Sequence, residues 1–164
     1  MVFGKESQVG RIKVMVVGLP GRAISMVAEE VSRQDDMELL GFTLGNKPER
    51  FRANGSEIVQ IESRLRKQKL AEFCPDVAVD FTPRAEIMRF RDNVALYCER
   101  GIRLVAGEDR SLILRKAKVP VAIVPNVRPG SCHLIIPLVM RAIRTLSKSR
   151  GEKRVFHFTE AVAI

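Results

Sequence analysis

The sequence contains few of the residues that mark several large classes of protein. Its 164 residues include no tryptophan, one tyrosine, two histidines and three cysteines. Three is an odd number, and the cysteines lack the close spacing of metal ligands, so the sequence argues against a disulfide framework and a structural metal. Charged residues interrupt every apolar run before it reaches the roughly 20 residues that cross a bilayer. We therefore expect no membrane-spanning segment.

The N-terminus shows no targeting signal. Residues 1–10 have neither a long apolar core nor an extended stretch rich in arginine and serine, so we predict a flexible N-terminal segment rather than a leader peptide. The expectation that follows is a cytoplasmic protein, or a plastid protein if a presequence is missing from this chain.

Positive charge is the largest surplus. With 28 lysines and arginines against 19 acidic residues, the net charge is +9, which is typical of proteins that bind polyanions. The basic residues are scattered along the chain, however, and the aromatic residues that could stack on bases make up only 5% of it. We interpret most of the charge as solvated helix surface, so nucleic acid is not the expected partner.

Short β-branched runs alternate with amphipathic segments along the chain. The first run, Ile12 to Val17, predicts a strand that is buried on both faces. Ile24, Val27, Ala28 and Val31 recur at helical spacing and predict a helix after it. The other predicted elements are a strand from Met37 to Leu44, a surface loop from Lys47 to Gly55, a helix from Ser56 to about Leu70, strands at 76–82, 102–106 and 119–124, and helices at 83–101, 111–116 and 134–146.

This alternation predicts the class of the fold. Strands that alternate with helices form a mostly parallel sheet with helices on both faces, so we expect a single α/β domain with a doubly wound, Rossmann-type sheet. We place this domain at residues 11–146. Residues 147–164 are interpreted as a basic tail, with truncation or alteration of a longer domain as one explanation.

The turn after the first predicted strand carries the strongest chemical signal. Gly18, Leu19, Pro20, Gly21, Arg22 and Ala23 connect a buried strand to a helix, which is where dinucleotide-binding domains hold a pyrophosphate. Glycine allows a tight turn and a close backbone approach, and the free N–H groups of the first helical turn favour an anion. Pro20 and Ile24 depart from the usual glycine pattern. A bare turn without a ligand is the alternative to a pyrophosphate site.

A carboxylate is missing where NAD sites usually carry one. That acidic residue follows the second strand and accepts hydrogen bonds from the adenosine ribose, whereas the corresponding stretch here is Leu44-Gly45-Asn46-Lys47. Arg22, Lys47 and Arg50 would suit a ribose 2′-phosphate if they lie close together. The sequence therefore leaves NADP and NAD both open, and ordinary solvent-facing loop charge is a further reading.

Four segments, spread over residues 11 to about 146, follow one another in the same order as the corresponding segments of a known enzyme family. They are Ile12 to Arg22, Asp76 to Pro83, Gly101 to Gly107 and Val119 to Val127. Together they resemble the N-terminal, cofactor-binding domain of dihydrodipicolinate reductase, with the D-V-A-V-D-F-T strand end as the most specific match. That enzyme belongs to lysine biosynthesis and reduces its substrate with NADH or NADPH.

The resemblance implies a set of cofactor contacts. Residues 18 to 23 would hold the pyrophosphate, Gly107, Glu108 and Asp109 would lie beside the nicotinamide ribose, and Val124, Pro125, Asn126 and Val127 would line the nicotinamide pocket. One departure concerns charge, because Glu108 and Asp109 replace two small hydroxyl residues of the family's G-T-T-G loop. Two carboxylates repel phosphate unless they face solvent or pair with Arg110.

The resemblance does not extend to the catalytic residues. In the family, a second domain supplies a His-His-x-x-Lys motif, whereas neither His133 nor His157 is followed by the required lysine, and we interpret both as structural. Asp80 at a strand end is interpreted as a turn former rather than a general base. The chain alone is therefore expected to lack the family's hydride transfer. A homo-oligomer and a separate substrate domain are both open as partners.

A different class of function also fits the sequence. The same fold could serve as a non-catalytic scaffold or regulatory protein that binds an acidic partner or nucleic acid through its basic surface. An independent short-chain reductase is a third, weaker reading. Dinucleotide binding favours the first hypothesis, and salt-dependent retention on heparin or DNA without dinucleotide binding favours the scaffold. Turnover of a carbonyl or imine substrate with NADPH would favour the short-chain reductase.

Overall fold

The computed structural model describes residues 10–107, 110–125, 132–149 and 153–158. Within these ranges, the chain forms nine strands and five α-helices. The strands are β1 (Ile12–Val17), β2 (Met37–Leu39), β3 (Phe42–Leu44), β4 (Glu49–Ala53), β5 (Ser56–Ile61), β6 (Val77–Asp80), β7 (Arg103–Gly107), β8 (Val121–Val124) and β9 (Val155–His157). The helices are α1 (Arg22–Arg33), α2 (Arg66–Phe73), α3 (Ile87–Arg100), α4 (Ser111–Leu114) and α5 (Cys132–Ser147).

Six strands form the main sheet in the order β2-β1-β6-β7-β8-β9. All five neighbouring pairs are parallel. β1 lies next to the edge strand β2, and the chain then adds β6 to β9 on the other side of β1, so strands are added in both directions as in a doubly wound sheet. This confirms the fold class predicted from the alternation of strands and helices.

Each face of the main sheet has its own hydrophobic core. Successive side chains of a strand point to opposite faces, so Val14 and Val16 of β1 belong to one core and Met15 and Val17 to the other. The apolar stripes of α1 and α5 cover the first face, and that of α3 covers the second. Ile24, Val27, Ala28 and Val31 are the buried residues of α1, as their spacing predicts.

The segment between residues 37 and 70 differs most from the prediction. The single strand expected from Met37 to Leu44 is divided, because β2 pairs with β1 while β3 pairs with β5 in a second sheet of order β3-β5-β4. The predicted loop at 47–55 contains β4, and the predicted helix from Ser56 begins as β5. The two strands form an antiparallel hairpin, and both residues of its Asn54-Gly55 turn have positive φ.

The other boundaries are close to those expected. Gly101 ends α3 in the left-handed conformation, as predicted. A 3-10 turn at Arg84–Glu86 separates Pro83 from α3. Pro137 lies inside α5, beyond its first turn. In the predicted basic tail, β9 pairs with β8, so the main sheet extends past the boundary placed at residue 146.

Among the described helices, none is both long and apolar enough to cross a membrane.

Candidate functional site

The turn after β1 approaches the end of β6 very closely. Gly18 has φ +119°, and a Cβ atom added there would lie 2.6 Å from the carbonyl oxygen of Phe81. The Gly21 N–H donates to the Gly18 carbonyl at 3.0 Å and closes the turn. α1 begins directly afterwards at Arg22, and its first turn contains no acidic residue. The first N–H groups of this helix have no intrahelical acceptor and are suited to an anion.

A cavity of about 460 Å³ opens beside this turn. It lies at the carboxyl ends of β1, β3 and β6, the position at which open α/β sheets bind their ligands. The residues that bear on its chemistry are Gly18, Leu19, Pro20 and Gly21 of the turn, together with Asn46, Lys47, Glu49, Gln60, Thr82, Glu86 and Arg89. The glycine turn predicted from the sequence therefore forms one wall of a cavity.

The remaining predicted site residues are distributed around this edge of the sheet. Arg22 and Ala23 form the start of α1 without lining the cavity, and Gly107 and Val124 end β7 and β8. Pro125 follows β8. Glu108, Asp109, Asn126 and Val127 lie outside the described residues. Their assignment as cofactor contacts, like that of the turn residues, is a prediction.

The predicted cationic group is reduced to one member at the cavity. Lys47 lines it, whereas Arg50 lies on β4 and forms an ion pair with Glu57 at 2.8 Å. The sequence analysis missed a second cation, Arg89, which contacts Glu86 at 2.7 Å. Arg89 lies on α3 and is separated by more than 60 residues from the glycine turn, so no local pattern marks it.

Gln60 supports the Lys47 segment from the neighbouring strand. Its Nε2 donates to the Lys47 carbonyl at 2.8 Å, and its amide fills the space that a Cβ atom at Gly45 would need. Only 8% of Gln60 is exposed. Recognising 56–61 as a strand, with Gln60 facing inward, would have revealed this contact, but the predicted helix concealed it.

A buried carboxylate organises the other wall of the cavity. Asp80 is fully buried at the end of β6 and accepts hydrogen bonds from the Thr82 N–H at 2.9 Å and from the Thr82 hydroxyl. Its second oxygen accepts from Asn93 at 3.2 Å and from the Tyr97 hydroxyl at 2.7 Å. Arg66 donates to the Asn93 side-chain oxygen at 2.9 Å. The network fixes the turn that contains Thr82, which agrees with a structural role for Asp80.

Burial controls the protonation of this network. Removal from water raises the pKa of Asp80, although the hydrogen bonds from Thr82, Tyr97 and Asn93 oppose the shift. Burial also raises the pKa of Tyr97 well above its usual range, and the neighbouring Asp80 carboxylate raises it further. Tyr97 is therefore a permanent hydrogen-bond donor at neutral pH.

Arg110 links the loop after β7 to the same wall. Its guanidinium donates to the Thr82 carbonyl and lies 4.5 Å from the centre of the Phe90 ring. The two histidines are elsewhere: His133 is exposed on α5, and His157 is exposed on β9. Neither lines the cavity.

The parallel sheet, the tight glycine turn and the cavity at the strand ends define a Rossmann-type α/β domain. The family model described as "Dihydrodipicolinate reductase, N-terminus" matches residues 12–126, which is well over half of the chain. The chain belongs to this family. The match is to the N-terminal domain that the four sequence segments resemble, and it ends at residue 126.

Comparison with solved structures shows how widely this architecture is shared. The response regulator domain of Thermotoga maritima CheB superimposes with a TM-score of 0.53 over 86% of this chain and 99% of that domain, at 14% sequence identity. At that identity the similarity shows the fold alone. No curated protein matches the chain.

Proposed function

We propose that this chain binds a nicotinamide dinucleotide in the cavity beside the Gly18 turn, as the cofactor-binding part of a dihydrodipicolinate reductase of lysine biosynthesis. The observation that supports this proposal most directly is the cavity itself, because the glycine turn up to Gly21, the residue before α1, forms one wall of a ligand-sized space. Family membership supports it independently, because the family uses a nicotinamide cofactor.

The residues of the glycine turn and of the first turn of α1 suit the pyrophosphate of the dinucleotide. The N–H groups at the start of α1 would face the pyrophosphate, and no acidic side chain in that turn opposes it. Pro20 contributes no N–H, so the binding energy has to come from the residues around it. When bound, the cofactor supplies a hydride; this chain's residues bind and orient it.

Lys47 is the residue through which the two cofactors would be distinguished. It is exposed at the cavity wall and its backbone is fixed by Gln60, so its ammonium group is suited to a ribose 2′-phosphate. We expect NADPH to bind more tightly than NADH for this reason. Glu49 in the same wall opposes a phosphate, which makes the preference a modest one.

Calorimetric titration of the whole chain with NADPH and NADH tests the proposal. Lys47→Gln is expected to weaken NADPH binding by about tenfold, the effect of one charge-assisted contact, and to leave NADH binding unchanged. Lys67→Gln on α2 is the matched control, since Lys67 is equally exposed and lies away from the cavity. If neither NADPH nor NADH binds at millimolar concentration, the proposal is refuted.

Catalysis is assigned to residues outside this chain. The sequence contains no His-His-x-x-Lys motif, and neither histidine lines the cavity. We propose that a separate substrate domain, or another chain that carries one, receives the hydride. Turnover of the family substrate by this chain alone, with NADPH, would contradict this part of the proposal.

A further inference from the structure

A second concave surface lies at the opposite end of the main sheet. It is a cleft of about 490 Å³ between the C-terminal half of α5 and β9, and we call it the basic cleft. β9 begins beside Val121, the first residue of β8, and α5 ends nearby at Ser147. The basic cleft is therefore at the amino ends of the strands, whereas the dinucleotide cavity is at their carboxyl ends.

Four cations line the basic cleft, and the described residues that line it include no acidic side chain. Arg141, Arg144 and Lys148 follow one another at spacings of three and four residues, so they lie along one face of the helix and its end. Arg154, the residue before β9, lines the same cleft. The fold thus collects charges that are scattered in the sequence.

Among the described residues, an acidic partner is found for one of the four cations. Arg144 contacts both carboxylate oxygens of Asp36, at 2.8 and 3.1 Å, and the side-chain oxygen of Gln34 at 2.7 Å. Arg141, Lys148 and Arg154 are exposed, and none of them forms an ion pair with another described residue. Three cations therefore face solvent from one concavity.

The helix dipole accounts for part of this pattern. Cations near a helix C-terminus are favourable, which suits Lys148 and the committed Arg144. The effect falls off within the last turn, so it does not explain Arg141, and it does not apply to Arg154, which directly precedes β9. The convergence of two elements on one cleft requires another explanation.

Aromatic surface accompanies the charge. Half-buried Phe156 of β9 lines the basic cleft. The Arg141 guanidinium lies 5.7 Å from the centre of the Phe158 ring, which is buried beneath it and does not line the cleft. Cationic grooves with an aromatic wall are how proteins hold single-stranded nucleic acids, because phosphates follow the charges and bases contact the rings. An acidic polypeptide would use the cations but has no equivalent need of the aromatic wall.

We propose that the basic cleft binds the phosphate backbone of a single-stranded nucleic acid. This site is separate from the dinucleotide cavity and does not depend on it. It also changes the interpretation of the net charge of +9, since part of that charge is grouped in one cleft and is not scattered over the solvated surface.

Fluorescence anisotropy with a labelled uridine dodecamer tests the proposal on the whole chain. The variant R141Q/K148Q/R154Q removes the three solvent-facing cations of the basic cleft. The variant R52Q/K67Q/R91Q removes three exposed cations from β4, α2 and α3, so both variants have the same net charge. We expect the first to weaken binding by more than about tenfold and the second by less than about threefold, because specific phosphate contacts are lost only in the first.

The salt dependence gives a second readout. Three phosphate contacts predict a slope of log K against log[salt] of about −2 for a single strand, and loss of the cleft cations should reduce the size of this slope to near zero.

Equal weakening of dodecamer binding in both variants would overturn the proposal, since it would indicate attraction by net charge alone. Tighter binding of polyglutamate than of the dodecamer would overturn it in favour of an acidic polypeptide. Unchanged NADPH binding by the cleft variant is expected and separates this site from the dinucleotide cavity.

Discussion

Gly18 occupies a position that excludes side chains for two reasons. Its φ of +119° is unfavourable for any other residue, and a Cβ atom would lie 2.6 Å from a backbone oxygen of Phe81. We predict that Gly18→Ala lowers the free energy of unfolding by about 2 kcal/mol or more, because the backbone of two elements has to move. Urea denaturation measures this change. Weaker NADPH binding should accompany it, since the turn forms a wall of the cavity.

Gly55 is the control that separates the effect of positive φ from the steric clash at Gly18. It also has positive φ, +83°, but an added Cβ atom would meet nothing within 4 Å. Gly55→Ala should therefore cost about 1 kcal/mol, the conformational penalty alone. Equal costs for the two substitutions would show that close packing of the Gly18 turn is not what holds it.

Asp80 is the residue whose charge state couples stability to pH. Its pKa is raised above the usual 3.8 by burial, so the folded protein binds a proton more tightly there than the unfolded chain does. That contribution to stability is fully present below pH 3.8 and is lost as the pH rises through the raised, folded-state pKa. Asp36 has the opposite sign, because Arg144 lowers its pKa and its contribution is lost as the pH falls.

We predict that Asp80→Asn lowers the free energy of unfolding by about 1–3 kcal/mol, because the amide replaces one of two oxygens that accept four hydrogen bonds. The gap between the wild type and the variant should narrow as the pH rises above 3.8. Urea titrations at a series of pH values measure it, and the Asp36 contribution cancels because both proteins retain that residue. A gap that widens with pH would contradict the assigned direction of the Asp80 shift.

Among the structural elements, those whose apolar residues follow one clear spacing were predictable from the sequence. β1, α1 and β6 occur where the sequence places them, because both faces of the strands are buried and the helix has a continuous apolar stripe. The hairpin of β4 and β5 was missed. Arginines and glutamates on its exposed positions conceal the strand pattern, and Ile58 and Ile61 happen to fit a helical spacing. The Asn54-Gly55 pair was the available signal for a hairpin turn.

The missed hairpin leads to a prediction about the cavity. Gln60 is the donor to the Lys47 carbonyl, and it is nearly buried on β5. Gln60→Ala should lower the free energy of unfolding by about 1 kcal/mol and weaken NADPH binding, because the Lys47 segment loses its support.

Gln68→Ala on α2 is the matched control, since Gln68 is exposed and should be neutral in both measurements. Thermal denaturation and calorimetric titration of the two variants provide the comparison. If Gln60→Ala binds NADPH as tightly as the wild type, Gln60 does not position the Lys47 segment.

At the scale of the whole molecule, the sheet alone does not define a function. The same architecture is found in a response regulator domain at 14% identity, so the family match and the residues at the strand ends carry the functional argument. The sequence identified the glycine turn and the family. It could not show that Lys47 and Arg89 meet at one cavity or that Arg141 and Arg154 meet at another, since these contacts depend on long-range packing.

The two ends of the sheet should respond differently to salt. The proposed nucleic-acid contacts release counterions from about three phosphates, so dodecamer affinity should fall roughly 15–20-fold between 50 and 200 mM NaCl. The dinucleotide is held mainly by neutral N–H groups and one lysine, and its affinity should fall far less. Anisotropy and calorimetry over the same salt series measure both. Parallel loss of the two affinities would contradict the proposed difference in the number of ionic contacts at the two sites, because the salt slope reports how many phosphates each site neutralises.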